Sequence, residues 1–130
     1  MQLKNILNPP AYFRDREKSI RQVKIYNVQA KIEDNDLFII GNINNHTTII
    51  KLLNPKDIQI SNNILIDCTC KSFKYEFAYP NKDDLLFPNN YLDRPPRERN
   101  IHRITGVCKH LHALARYIQT NRHKLINRLR

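Results

Sequence analysis

Four residues of metal-binding types stand in two short pairs. Residues 71–107 separate Cys68-Thr69-Cys70 from Cys108-Lys109-His110, and the two pairs contain all three cysteines of the chain. Structural zinc sites take four thiolate or imidazole ligands in a closed tetrahedron. The sequence therefore predicts one structural Zn²⁺, which joins two distant segments and is bound by Cys68, Cys70, Cys108 and His110.

The cysteines have two other interpretations besides a metal site. Free cysteine is often buried as a small apolar residue, so the three could be unrelated core residues. Cys68 and Cys70 are too close for easy disulfide pairing, and a disulfide would leave an odd cysteine. We favour the metal because every cysteine lies within the two pairs, and Lys109 between two of the ligands suits an exposed turn.

The sequence around both pairs resembles a SWIM-type zinc finger, whose pattern is C-x-C, a spacer, and C-x-H opening a helix. The resemblance covers about residues 60–120 and rests on Ile66-Asp67-Cys68-Thr69-Cys70 and Val107-Cys108-Lys109-His110-Leu111-His112-Ala113-Leu114. The spacer is longer than in most members, as in long-spacer versions in some bacteriophage proteins. The family spacing favours His110 over nearby His112 as a ligand. The resemblance implies DNA-related work, such as remodelling and transposition, or protein–protein contacts.

Composition favours an anionic partner. The chain has 130 residues, a net charge of +10 and a pI near 9.8, and 41% of its residues are hydrophobic. This length predicts one domain with a modest core, and zinc contributes on the order of 10 kcal/mol to folding in small metal-dependent domains. Nucleic acid is the default partner for such a charge, and the alternatives are a solvated basic surface that serves only solubility or a contact with an acidic protein.

Membrane and secretory signals are absent from the sequence. No run approaches the roughly 20 apolar residues of a membrane helix, and Met1–Pro10 does not have the pattern of a secretory signal. Thiols held as metal ligands fit a reducing compartment. We therefore expect an intracellular protein without a membrane partner, in the cytoplasm, in the nucleoid or nucleus, or in a phage virion.

The predicted fold is α+β: a small antiparallel meander packed on a C-terminal helix and joined to it by the zinc site. Residues 1–22, with two adjacent prolines and many charges, are interpreted as an N-terminal arm, and residues 23–130 as a single zinc-binding domain. Residues 23–66 contain short β-branched runs between Asn-rich turns, which is typical of a meander. A phase slip predicts a bulge near Tyr26–Asn27, and the apolar run at 37–40 predicts a central strand.

A finger-like unit at 67–120 contains an insertion at 80–107. Residues 71–79 form either a short helix or a strand, and we favour the helix because the resembling finger has one there. The aromatic residues of 71–79 can stack on bases, but such clusters more often cover a metal and close a core.

Prolines forbid a long regular element in the insertion. Its basic residues have two interpretations. In one, they bind phosphates or an acidic subunit. In the other, they belong to a solvated loop that is held in place by the packing of Phe87, Tyr91 and Leu92 on the domain. These basic residues are Arg94, Arg97, Arg99 and Arg103.

The last segment, 108–130, is predicted to be one helix. Apolar residues recur on one face at three- or four-residue steps, and no acidic residue occurs after Cys108. The opposite face is the best candidate contact surface. Its cations include Lys109, Arg116, Arg122, Lys124 and Arg128.

The pattern favours a binding protein over an enzyme or a small-molecule binder. Four protein ligands close the metal's coordination shell, and no Gly-rich phosphate loop or catalytic constellation is visible. One hypothesis is a DNA-binding module that uses the basic helix and the Arg-rich loop. The other is a structural subunit of a larger assembly, such as a phage virion or accessory protein, in which zinc clamps the fold for protein–protein contacts.

Overall fold

A four-stranded antiparallel sheet forms the centre of the fold. The computed structural model describes residues 1–7, 23–71, 73–74, 78, 82–90 and 108–127. The strands are β1 (Ile25–Glu33), β2 (Asp36–Ile43), β3 (His46–Leu52) and β4 (Ile64–Cys68), in the order β1-β2-β3-β4. The predicted meander is confirmed, and the apolar run at 37–40 lies in β2, which is an inner strand.

Asparagine-rich pairs close the two hairpins. Asp34 and Asn35 connect β1 to β2, and Asn44 and Asn45 connect β2 to β3, all four with positive φ. Two-residue hairpin loops favour such turns because their twist matches the strands, and Asn and Asp tolerate the left-handed backbone. The predicted bulge is also confirmed, because Ile25 pairs with Ile43 while Asn27 pairs with the adjacent Asn42.

One face of the sheet packs against the C-terminal helices. These are α2 (Lys109–Thr120) and α3 (Arg122–Ile126), and α1 (Leu3–Leu7) lies near the chain start. Gly41 lies inside β2, where a Cβ would be 3.2 Å from Leu114 Cδ1. The missing side chain therefore lets α2 approach the sheet closely. The buried core unites Leu37, Ile39, Ile43, Ile50, Leu52, Ile64 and Ile66 of the sheet with Leu111, Leu114, Ala115 and Ile118 of α2.

The final segment is not one continuous helix. Asn121, with φ −107° and ψ 19°, separates α2 from α3, and both its backbone N–H and its side-chain amide donate to Tyr117 O. Such local side-chain bonds compete with the helical pattern and end the helix. The single helix predicted over 108–130 is corrected accordingly, and residues 128–130, including Arg128, lie outside the described residues.

The first seven residues are part of the core and not of an arm. Leu3 and Ile6 are each 1% exposed, and α1 lies against α2. The backbone N–H of Leu3 donates to Asn62 O, and Met1 O accepts from Ile64 N. The arm predicted over 1–22 is therefore wrong for residues 1–7. The sequence did not reveal this helix, because five residues are too few to show a helical periodicity of apolar side chains. Residues 8–22 lie outside the described residues.

The described parts that follow Cys70 favour the helical interpretation. Lys74 N donates to Cys70 O at 3.2 Å and Ala78 N donates to Phe73 O at 2.8 Å, while Phe73 is fully buried. These are helical turns, and Phe73 covers the core as the more common role of such aromatics predicts. Tyr75, Phe77 and Tyr79 lie outside the described residues.

The described part of the insertion packs along β4. It contains two short 3₁₀ turns, Lys82–Asp84 and Pro88–Asn90, and Leu86 N donates to Ile66 O between them. Leu85 is buried, whereas Phe87 is 44% exposed. The side chain that attaches this segment to the domain is therefore Leu85 and not Phe87, which the sequence had predicted. Tyr91 and Leu92 lie outside the described residues.

The burial of α1 predicts that Ile6→Ala lowers the free energy of unfolding by about 2–5 kcal/mol, because the cavity in the core is only partly refilled. Exposed Lys4 in the same helix is the matched control, and Lys4→Ala is expected to change stability by less than about 0.5 kcal/mol. Urea unfolding of both variants measures the difference. Equal, near-zero effects would show that the segment is a peripheral arm.

Candidate metal centre

Two elements deliver the predicted ligands to one place. Cys68 is the last residue of β4 and pairs with Thr48 of β3, and Thr69 N extends this pairing by donating to Thr47 O. Cys70 follows directly, while Cys108 is the N-cap residue of α2 and His110 lies in its first turn. The sheet register and the start of the helix therefore place all four donors.

The four donor atoms form a compact, buried cluster. The Sγ atoms of Cys68, Cys70 and Cys108 and a ring nitrogen of His110 all lie within 4.8 Å of one another. Cys68 Sγ is 3.8 Å from His110 Nδ1, and each ligand residue is at most 5% exposed. A tetrahedral zinc site with the usual Zn–S and Zn–N bond lengths has donor–donor edges of roughly 3.5–3.8 Å. The cluster can therefore close around an ion with small side-chain movements.

The electrostatics of the cluster favour a bound cation. Burial is the main cause that raises the pKa of the Cys108 thiol well above its ordinary value, and hydrogen bonds and like charge from Cys68 and Cys70 add to it. Three buried thiolates repel one another unless a positive ion compensates them. Cys108, the N-cap residue of α2, makes no side-chain capping bond to the helix. The donor set fits a divalent thiophilic metal.

Two groups of the fold hold the sulfur atoms directly. The backbone N–H of Phe73 donates to Cys70 Sγ at 3.3 Å, and Thr48 Oγ1 lies 3.5 Å from Cys68 Sγ. Hydrogen bonds to a ligand sulfur stabilise its charged form and fix its direction. The helical turn after Cys70 and the inner strand β3 therefore both orient the cluster.

A second layer lies beside His110. The ring of His46 packs against the His110 ring, with centroids 4.8 Å apart and an interplanar angle of 49°. Thr69 Oγ1 accepts from Thr47 N at 3.2 Å and lies 3.2 Å from His46 Nδ1. Sequence reasoning missed His46, Thr48 and Thr69 as supporting residues, because they join the site only through the pairing of β3 with β4.

His110 and His112 occupy different positions. His110 belongs to the cluster of four donors, as the Cys-x-His spacing favours. His112 is 2% exposed and lies on the buried side of α2. Its backbone N–H donates to Cys108 O, as a regular helical hydrogen bond. His112 therefore does not belong to the exposed basic face.

The predicted contact residues divide into two sets. Lys109, Arg116, Arg122 and Lys124 are all exposed on the C-terminal helices. The second set of predicted contact residues lies outside the described residues and consists of Arg94, Arg97, Arg99, Arg103 and Arg128.

Comparison with known proteins found no relative of this chain. The chain matches no protein-family model, and it matches none of the curated proteins or solved structures with which it was compared. Among the described residues, no helix combines the length and apolar character needed to cross a membrane.

The second layer predicts a role for Thr69 in metal affinity. Thr69→Val keeps the side-chain shape but removes the acceptor of Thr47 N and the contact to His46, so we expect Zn²⁺ affinity to fall about 10–100-fold. Competition with a chromogenic chelator measures the affinity. Exposed Thr120 on α2 is the matched control, and Thr120→Val is expected to leave affinity unchanged. Equal affinities of both variants would exclude this positioning role.

Proposed function

We propose that this protein is a zinc-clamped module of the SWIM type that binds DNA through its C-terminal helices. One observation carries the proposal: the cluster of four donors includes the first turn of α2, and exposed cations lie on this helix and on α3. The metal would thus fix a basic surface in one orientation on the sheet.

The cluster supports a structural zinc ion. A C-x-C pair at the end of a strand and a C-x-H pair at the start of a helix match the SWIM arrangement that the sequence resembles. Four protein donors would fill the tetrahedral shell of a bound zinc and leave no open position for a substrate or water. This supports a binding role over a catalytic one.

The exposed side of the helices supports a phosphate-binding surface. Lys109 and Arg116 lie seven residues apart along α2, which corresponds to roughly 10 Å at the usual helical rise. Arg122 and Lys124 continue the cationic surface on α3, and no Asp or Glu occurs from Lys109 to Asn127. A cationic surface without acidic neighbours, on a chain of charge +10, suits phosphate contacts that fix a protein on DNA.

A structural subunit of a larger assembly is the second candidate. It is favoured by the exposed apolar side chains of β1, where Ile25, Tyr26 and Ile32 are 38%, 60% and 48% exposed. In this function the metal clamps the fold and the partner is protein.

The zinc proposal predicts that His110→Ala reduces Zn²⁺ affinity by more than about 100-fold, since loss of a ligand exceeds the effect of a supporting residue. Exposed His123 on α3 is the matched control, and His123→Ala is expected to bind like the parent protein. Titration with Co²⁺ reports both stoichiometry and geometry through its visible spectrum. A spectrum without tetrahedral thiolate features, or more than one ion per chain, would contradict a single structural site.

The DNA proposal predicts that Arg116→Gln/Lys124→Gln weakens duplex binding and lowers the slope of log K against log salt by up to about 2, since each phosphate contact contributes about 0.9. Lys4→Gln/Lys56→Gln removes the same charge from exposed positions elsewhere and is the control. Fluorescence anisotropy of zinc-loaded protein at several salt concentrations measures both.

Equal effects of the two double variants would show that only net charge matters. No duplex binding by the zinc-loaded parent protein would leave the assembly function as the better explanation.

A further inference from the structure

The two edges of the sheet, β4 and β1, differ in whether other described segments form hydrogen bonds to them. At the β4 edge, Leu86 N donates to Ile66 O and Ile64 N donates to Met1 O, so other segments cover the strand. Within the part of the chain that the structure describes, β1 has a single neighbouring strand, β2. An edge strand directs the N–H and C=O groups of alternate residues outward, where a further strand can pair with them.

The β1 edge also carries apolar side chains. Ile25, Tyr26 and Ile32 are three of the six large hydrophobic residues that are exposed among those described. β1 is nine residues long and contains no proline. Lys31, whose Nζ lies 3.5 Å from Glu33 Oε2, and the bulge at the start of β1 protect part of this edge. The extended run from Val28 to Ile32 is long enough to pair with another strand.

The charges at the two ends of β1 indicate which strand pairs with it. Exposed Lys24 precedes the strand, while exposed Glu33 and Asp34 stand at its end. Antiparallel pairing of two copies places the basic start of one beside the acidic end of the other, at both ends of the pair. Parallel pairing would bring like charges together, which is unfavourable. The edge is therefore self-complementary in the antiparallel sense.

We propose that β1 pairs with β1 of a second copy of this chain, so that two four-stranded sheets form one eight-stranded antiparallel sheet around a two-fold axis. A register centred on Gln29 opposes Val28 of each copy with Ala30 of the other, places Tyr26 near Ile32 beside the bulge, and brings Lys24 near Glu33 and Asp34. Such a contact is isologous, since each copy uses the same surface. The dimer depends neither on DNA binding nor on the identity of the metal.

Analytical ultracentrifugation of the full zinc-loaded chain, without DNA and over a hundredfold range of concentration, tests the dimer. We expect a mass that rises from 15.5 kDa towards twice that value. Ile32→Thr should raise the dimer dissociation constant roughly two- to thirtyfold, because each cross-strand contact is lost twice in a two-fold dimer. The matched control is Ile60→Thr, since Ile60 is 49% exposed and Ile32 48%.

Charge exchange tests the antiparallel arrangement. Lys24→Glu and Glu33→Lys should each weaken the dimer, and the double variant Lys24→Glu/Glu33→Lys should restore it. A monomer at all concentrations, or equal effects of Ile32→Thr and Ile60→Thr, would overturn the proposal. A double variant that is weaker than both single variants would overturn the antiparallel pairing. Zinc affinity and duplex binding are measured separately, so their outcome does not affect this test.

Discussion

Three sulfur atoms and one imidazole, buried within 4.8 Å of one another, are the constraint on which the rest of the structure depends. Burial alone raises the pKa of the Cys108 thiol, and the two neighbouring sulfurs raise it further. Such a group of donors is stable in its charged form only around a cation. The end of β4 and the start of α2 therefore meet at a site whose charged form needs a bound cation.

The same junction organises the segment between the two pairs of ligands. Residues 71–107 begin and end at the cluster, so the metal would close this segment at both ends. The cost of closing a flexible segment grows slowly with its length, so a long insertion is compatible with a small domain. Leu85 and the bond from Leu86 to Ile66 attach its described part to β4. The N-terminal residues cover the same β4 edge of the sheet, where Ile64 N donates to Met1 O.

The proposed functions use separate parts of the molecule. Exposed cations lie on α2 and α3, whereas exposed apolar side chains concentrate on β1. A metal bound by the donor cluster would support the helical surface through Cys108 and His110, and the hairpin turns connect the strands of the sheet. A dimer joined through β1 would present two basic helical surfaces, and it would favour DNA binding through avidity if both surfaces reached one duplex. A larger assembly could use the same edge without DNA.

The amino-acid sequence by itself determined the four residues of the donor cluster, the meander and its bulge, because cysteine spacing, β-branched runs and Asn-rich turns act through local chemistry. It could not show that Leu3 and Ile6 are core residues or that Leu85 holds the insertion. Those outcomes depend on contacts between distant segments, which no local pattern reports. Likewise, Thr48, Thr69 and His46 support the metal centre only because the register of β3 against β4 brings them there. Tertiary packing therefore decided which polar residues surround the site, since their roles follow from proximity and not from residue type.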